Sequence, residues 1–123
     1  MDDRLAIYSR IKALLSVYSP PLVARSDFEG RYELWSEKSI EVEGRKRKEI
    51  YFGGLIIQSA YVGFYFMPVY VQSEIAALFR PELLARLKGK SCFHITKLDD
   101  TLENATRDAL AQGWRLYVER GWV

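Results

Sequence analysis

The sequence predicts an α+β domain in which an antiparallel sheet of about four strands carries an N-terminal and a C-terminal helix. Three features support this. Residues 48–70 are dense in β-branched and aromatic side chains and are interrupted by small polar residues only at Gln58 and Ser59, the pattern of a β-hairpin. Residues 3–18, and the stretch that begins near Asp99, instead space their apolar side chains at helical intervals. A chain of 123 residues, 49% hydrophobic and 14% aromatic, is sized for one core, so residues 1–123 are read as a single domain.

In the first helix, Ile7, Tyr8, Ile11, Leu14, Leu15 and Tyr18 form the core-facing stripe and Arg4, Arg10 and Lys12 are left for water; Pro20-Pro21 ends it. Residues 22–30 are mixed in character and are expected to be a connection with room for a short helix. Between Arg31 and Val42, Tyr32, Leu34, Ile40 and Val42 alternate with Glu33 and Glu41, which predicts one edge strand with a wet face. A turn at Gly44 follows, and with it four consecutive cations, Arg45, Lys46, Arg47 and Lys48. A solvated hairpin tip that discourages edge-to-edge pairing is the first reading of this run.

The hairpin should be central in the sheet. Ile50, Tyr51 and Phe52, and again Phe64, Tyr65, Phe66 and Met67, place bulky groups on both faces, so the second face is expected to be sheltered from water, by helices ahead of a small-molecule cleft. Residues 71–87 then turn helical, with Ser73 as N-cap and Pro81 opening a second short helix that runs over residues 82–88 to Gly89. Residues 91–97 predict a strand beside the hairpin. The last helix takes Thr101 as N-cap, and Leu102, Ala105, Ala109, Leu116 and Tyr117 continue its stripe towards Trp122.

Several function classes are set aside by composition. A net charge of +2 with a pI near 8.7 is too weakly basic to argue for nucleic acid from the total alone. A single cysteine, Cys92, excludes an internal disulfide and, without a leader segment, points to the reducing cytoplasm. No run reaches the roughly 18 apolar residues of a membrane span, so no membrane partner is expected. The one histidine, His94, lies two residues from Cys92 on a predicted strand, so both face one side; a metal centre would need further ligands, and no second histidine exists to activate the thiol. No catalytic residue is assigned. Gly53-Gly54 sits inside a strand and not before a helix, which fails the test for a phosphate-binding loop; Gly53, Gly54 and Gly63 instead mark a bulge or a close approach.

Two candidate sites emerge besides the basic run. Trp35, Tyr51, Tyr61, Tyr65, His94 and Lys97 form the candidate ligand-binding set on an aromatic-rich sheet face. Asp99, Asp100 and Glu103 open the last helix, as Asp2 and Asp3 open the first; they are dipole partners first, and the former trio is the candidate set for a hard cation.

The order Tyr61-Val62-Gly63-Phe64-Tyr65-Phe66-Met67-Pro68, a helix ending Leu87-Lys88-Gly89-Lys90, the strand Ser91-Cys92-Phe93-His94-Ile95 and a C-terminal helix resembles the YdhG-like domain-of-unknown-function family, over about residues 50–118. The resemblance implies a small α+β domain similar in outline to frataxin, and some members are described as iron chaperones. The chain departs from that pattern: no Gly-x-Pro element lies between Trp35 and Val42, His94-Ile95 stands where the final strand usually has proline, and the first helix is basic where an iron site would call for an acidic ridge.

The resulting expectation is a small cytoplasmic, non-catalytic binding or interaction module that uses the aromatic sheet face for a small ligand, a protein partner or its own copy as a homodimer. Iron handling through Asp99, Asp100, Glu103 and His94 is the alternative, with iron the only cofactor the resemblance admits. Weak nucleic-acid or phosphate binding through Arg45 to Lys48, with Arg86, Lys88 and Lys90, is the second alternative, and nucleic acid is not expected as the main partner.

Overall fold

The hairpin predicted from residues 48–70 forms as β5 (Ile50–Ile57) and β6 (Val62–Phe66), closed by a Gln58 N–H bond to the Tyr61 carbonyl of 2.8 Å. This computed structural model describes residues 3–123, so Asp2 lies outside it, and Val42 is described through its backbone. The remaining elements are α1 (Arg4–Ser16), β1 (Val23–Phe28), β2 (Arg31–Ser36), β3 (Ile40–Val42), β4 (Arg45–Arg47), α2 (Met67–Val71), a 3-10 helix (Ser73–Leu78), α3 (Pro81–Leu84), β7 (Leu87–Lys88), β8 (Cys92–Ile95) and α4 (Asp100–Glu119). Six strands make one antiparallel sheet in the order β1-β2-β5-β6-β8-β7, and β3 and β4 pair separately. The hairpin is thus central, as its apolar density requires.

The α+β class stands, but individual elements differ from expectation. The connection expected over residues 22–30 is the edge strand β1, whose alternation is blurred because Val23 and Phe28 are exposed, Phe28 at 61%. The single strand expected over residues 31–42 is two. β2 ends at Ser36 and is an interior strand paired to β1 and β5, and the polar Glu37-Lys38-Ser39 lets the chain leave the sheet before β3. The hairpin ends at Phe66, four residues early, because Pro68, with no N–H to give a ladder, sits in the first turn of α2. The two helices expected on either side of Pro81 are a 3-10 turn and the four-residue α3, which Pro81 does open, but residues 87–88, expected to end the second helix, pair as β7; the Gln72 N-cap position of the 3-10 turn makes no side-chain bond, so Ser73 does not cap it. In α4 the cap is Asp99 and not Thr101: its Oδ1 accepts the Leu102 N–H at 2.8 Å.

The core lies on one side of the sheet. Ile7, Tyr8, Ile11 and Leu15 of α1, with Leu102, Ala105, Ala109, Leu110, Leu116 and Tyr117 of α4, bury against Tyr32, Leu34, Phe52, Leu55, Phe64, Phe66, Phe93 and Ile95. Phe52 is the hub, with Phe66 and Tyr117 edge-on to its ring at 5.5 and 5.2 Å. Each fully buried Leu, Ile or Phe among them stabilises the fold by about 1.5–3 kcal/mol over leaving it exposed. The chain end is pinned across the sheet: the buried Ser36 hydroxyl donates to the Trp122 carbonyl, and the Trp122 ring packs on Tyr117 at 5.0 Å. Among the described residues, no helix is long and apolar enough to cross a membrane.

Candidate functional site

Strand alternation sends Glu33 and Trp35 of β2, Tyr51 and Ile56 of β5, Tyr65 of β6 and Cys92 and His94 of β8 to the face away from α1 and α4. One irregularity sorts the aromatic pair Tyr51-Phe52. The β2–β5 register runs Leu34 to Gly53 and then Trp35 to Tyr51, so Phe52 is an extra residue at a bulge. Phe52 and Gly53 therefore both meet the helix side, where a Cβ on Gly53 would lie 3.4 Å from Phe66 and 3.8 Å from Leu15, and Tyr51 is returned to the free face.

This face corrects the expectation of a doubly sheltered hairpin. The atoms nearest above Gly54 and Gly63 belong to the sheet's own tyrosines and to β2, not to any helix: a Cβ on Gly54 would lie 2.5 Å from the Tyr51 hydroxyl, and one on Gly63 would lie 2.9 Å from the Tyr65 ring. The two tyrosines thus lie down over glycines, and the strands half-bury one another's apolar surface without a second layer. Tyr61 and His94 extend the strip, stacked 3.8 Å apart at 11°. Trp35 meets Tyr51 edge-on at 5.1 Å, and the Arg25 guanidinium covers Trp35 at 5.1 Å.

At one end, the β3–β4 hairpin, hereafter the arm, overhangs this face. Its turn residues Glu43 and Gly44 both have positive φ, 51° and 79°, as a two-residue type I′ turn demands. Its base is tied to β1 through Arg25, which pairs with Glu37 at 2.8 Å and with Glu49. A cavity of about 340 Å3 opens between arm, sheet and α2, lined by Trp35, Glu43, Arg47, Ile50, Tyr51, Met67, Tyr70 and Val71.

Two of its rings, those of Tyr51 and Tyr65, stay neutral. Burial, then Glu33, pushes the Tyr51 phenol far above its usual range, and burial raises Tyr65 too, so both keep their protons. Burial also raises the Cys92 thiol, and the Tyr65 hydroxyl, donating to it, opposes the shift. Tyr65 in turn accepts from Gln58 Nε2 at 3.3 Å.

Of the predicted ligand set, Trp35, Tyr51, Tyr61, Tyr65 and His94 share this face. Lys97 does not: it is exposed beyond β8, in a separate hollow of about 390 Å3 with Glu82, Ala85, Arg86, Leu98, Asp99 and Leu102. The basic run divides: Arg47 lines the aromatic cavity, which Arg45, Lys46 and Lys48 do not. Asp99 is occupied as the α4 cap, and Asp100 and Glu103 share Arg10 at 3.3 and 2.8 Å. Among the described residues, no group of three or more histidine, cysteine, aspartate or glutamate side chains is placed to hold a metal. Sequence reasoning missed Glu43, Met67, Tyr70 and Arg25 as parts of the site. Reading Met67-Pro68 as a helix start would have brought Met67 and Tyr70 to the end of the sheet; nothing local announces that Arg25 reaches Trp35.

Comparison with protein-family models, with curated proteins and with solved structures finds no match to this chain.

Proposed function

We propose that the chain is a non-catalytic binding module whose working surface is the sheet face away from α1 and α4, with the Trp35–Tyr51 cavity as its ligand seat. One observation carries this reading: five predicted aromatic and imidazole side chains converge on the face away from α1 and α4, and the arm and α2 border it to leave a cavity of about 340 Å3, within the range of small-molecule sites. The cavity joins apolar walls, Ile50, Met67 and Val71, to one cation and one carboxylate, Arg47 and Glu43, which would orient a flat ligand. The single cysteine, Cys92, is partly buried, raised in pKa and outside the seat. The YdhG-like resemblance is compatible with a small binding domain. Its iron-handling side draws no support from Asp100 and Glu103, since both already engage Arg10.

Amide-shift mapping by NMR with a library of planar fragments tests the proposal. The expected result is a set of shifts confined to Trp35, Tyr51, Gly54, Met67 and the arm. Shifts confined to the hollow around Arg86 and Lys97, or none above scatter, overturn it.

A further inference from the structure

The arm and the free face, taken together, select for a ligand that is polyanionic along its backbone and flat at intervals. We propose that this surface binds single-stranded nucleic acid, the Trp35–Tyr51 cavity receiving one base while Arg45, Lys46, Arg47 and Lys48 hold neighbouring phosphates. The inference rests on the binding-module reading above and names its ligand class.

Charge placement is the first argument. Residues 38–48 hold five cations and two carboxylates, a local charge of +3, so the rest of a chain whose total is +2 is at −1. A second basic stretch, Arg86, Lys88, Lys90 and Lys97, is as positive, but none of its side chains lines the aromatic cavity. The second argument is availability. Elsewhere Arg10, Lys12, Arg25, Arg31 and Arg80 each engage a carboxylate, while Lys88, Lys97 and Arg115 make no ion pair among the described residues. The four arm cations are exposed, and their side chains make no ion pair or hydrogen bond among the described residues. A solvated tip would account for such cations anywhere on the surface. Their position is what distinguishes them.

Strand alternation puts Arg45 and Arg47 on one face of the arm, and Arg47 lines the cavity whose floor is Trp35 and Tyr51. A base on those rings would gain stacking of about 1–3 kcal/mol, which every base can supply. Glu43, on the same cavity wall, would accept from an exocyclic amine and repel a phosphate, so the base and not the backbone belongs inside. Paired bases hide their flat faces, which makes the strand single.

Fluorescence anisotropy with a labelled mixed-sequence oligonucleotide, as DNA and as RNA, titrated from about 50 to 300 mM salt, tests the inference. Binding is expected at low salt, with log affinity falling against log salt at a slope of about −2 to −3, from roughly 0.7 per phosphate contact. Arg45→Gln with Arg47→Gln should flatten the slope by roughly 1.4, whereas Trp35→Leu should weaken binding about 5-fold to 100-fold at an unchanged slope. The arm pair is exposed, so its readout survives any folding defect of the Trp35 variant. No binding at the lowest salt, an arm variant with the parent slope, a duplex bound as tightly as the strand, or a mononucleotide bound as tightly as the oligonucleotide would each overturn the proposal. Fragments that occupy the cavity when no strand binds would sink this inference and leave the binding-module reading in place.

Discussion

Gly113 shows how much one missing methyl decides. It sits in α4 where the helix crosses the end of β6, and a Cβ there would come within 2.3 Å of Phe66 Cζ and 2.8 Å of Pro68 Cγ, both in buried residues. Gly113→Ala gains up to about 1 kcal/mol of helix propensity but forces overpacking that costs about 1–3 kcal/mol. The expected net effect is a loss of about 1 kcal/mol or more, read as a lower urea midpoint at unchanged slope. In the sequence a mid-helix glycine signals only weak propensity; the ring it must clear is 47 residues away and invisible there. Cys92 gives a pH-dependent prediction. Burial raises its pKa and the Tyr65 hydrogen bond lowers it, so less thiolate is present at a given pH than for a free thiol. Alkylation by iodoacetamide should follow a pH profile displaced to higher pH, and Tyr65→Phe, which removes the opposing donor, should displace it further. A profile matching a free small thiol contradicts the assigned burial.

Among the elements, the arm stands apart. It is a two-stranded ribbon with its own ladder, held to the sheet by Arg25 and by the partly buried Ile40, and such ribbons are marginal alone. In native-state hydrogen exchange the β3–β4 amides should exchange first and those of β5 and β6 last, close to the global unfolding free energy. Protection of the arm equal to that of β6 would contradict this order. The arm and β1 were the elements hardest to read from sequence, for one physical reason: neither has two solvent-contrasted faces. Val-Ala-Arg-Ser-Asp-Phe in β1 leaves both its apolar ends in water, and the cations of β4 swamp any alternation. The stripes of α1 and α4 were legible because each meets water on one side and a core on the other. The central position of the hairpin was legible too, since Phe52, Leu55, Phe64 and Phe66 are too apolar for an edge. What misled was the step from bulk on both faces to two covering layers, because tyrosine reclining on glycine is a third way to shelter a sheet.

At the scale of the molecule, one-sided packing and the four free cations of residues 45–48 meet at the candidate site. Replacing Arg45, Lys46, Arg47 and Lys48 by glutamine takes the formal charge from +2 to −2. At exposed positions this should leave stability within about 0.5 kcal/mol and abolish retention on a cation-exchange column at pH 7, two readouts that separate surface charge from fold. That Trp35, Tyr51, Tyr61, Tyr65 and His94 share one sheet face was visible in the sequence; of them Trp35 and Tyr51 line the cavity. Its union with Arg47 was not, because a turn at Gly44 does not say over which face the returning strand will lean. The tyrosine rings over Gly54 and Gly63 carry a last implication. Main chain, and not rotatable side chains, forms the bed beneath them, and the Tyr51 and Tyr65 rings are already packed in place. A guest settling there would therefore freeze few new torsions, and more of its contact energy would survive as affinity than on a surface of loose side chains.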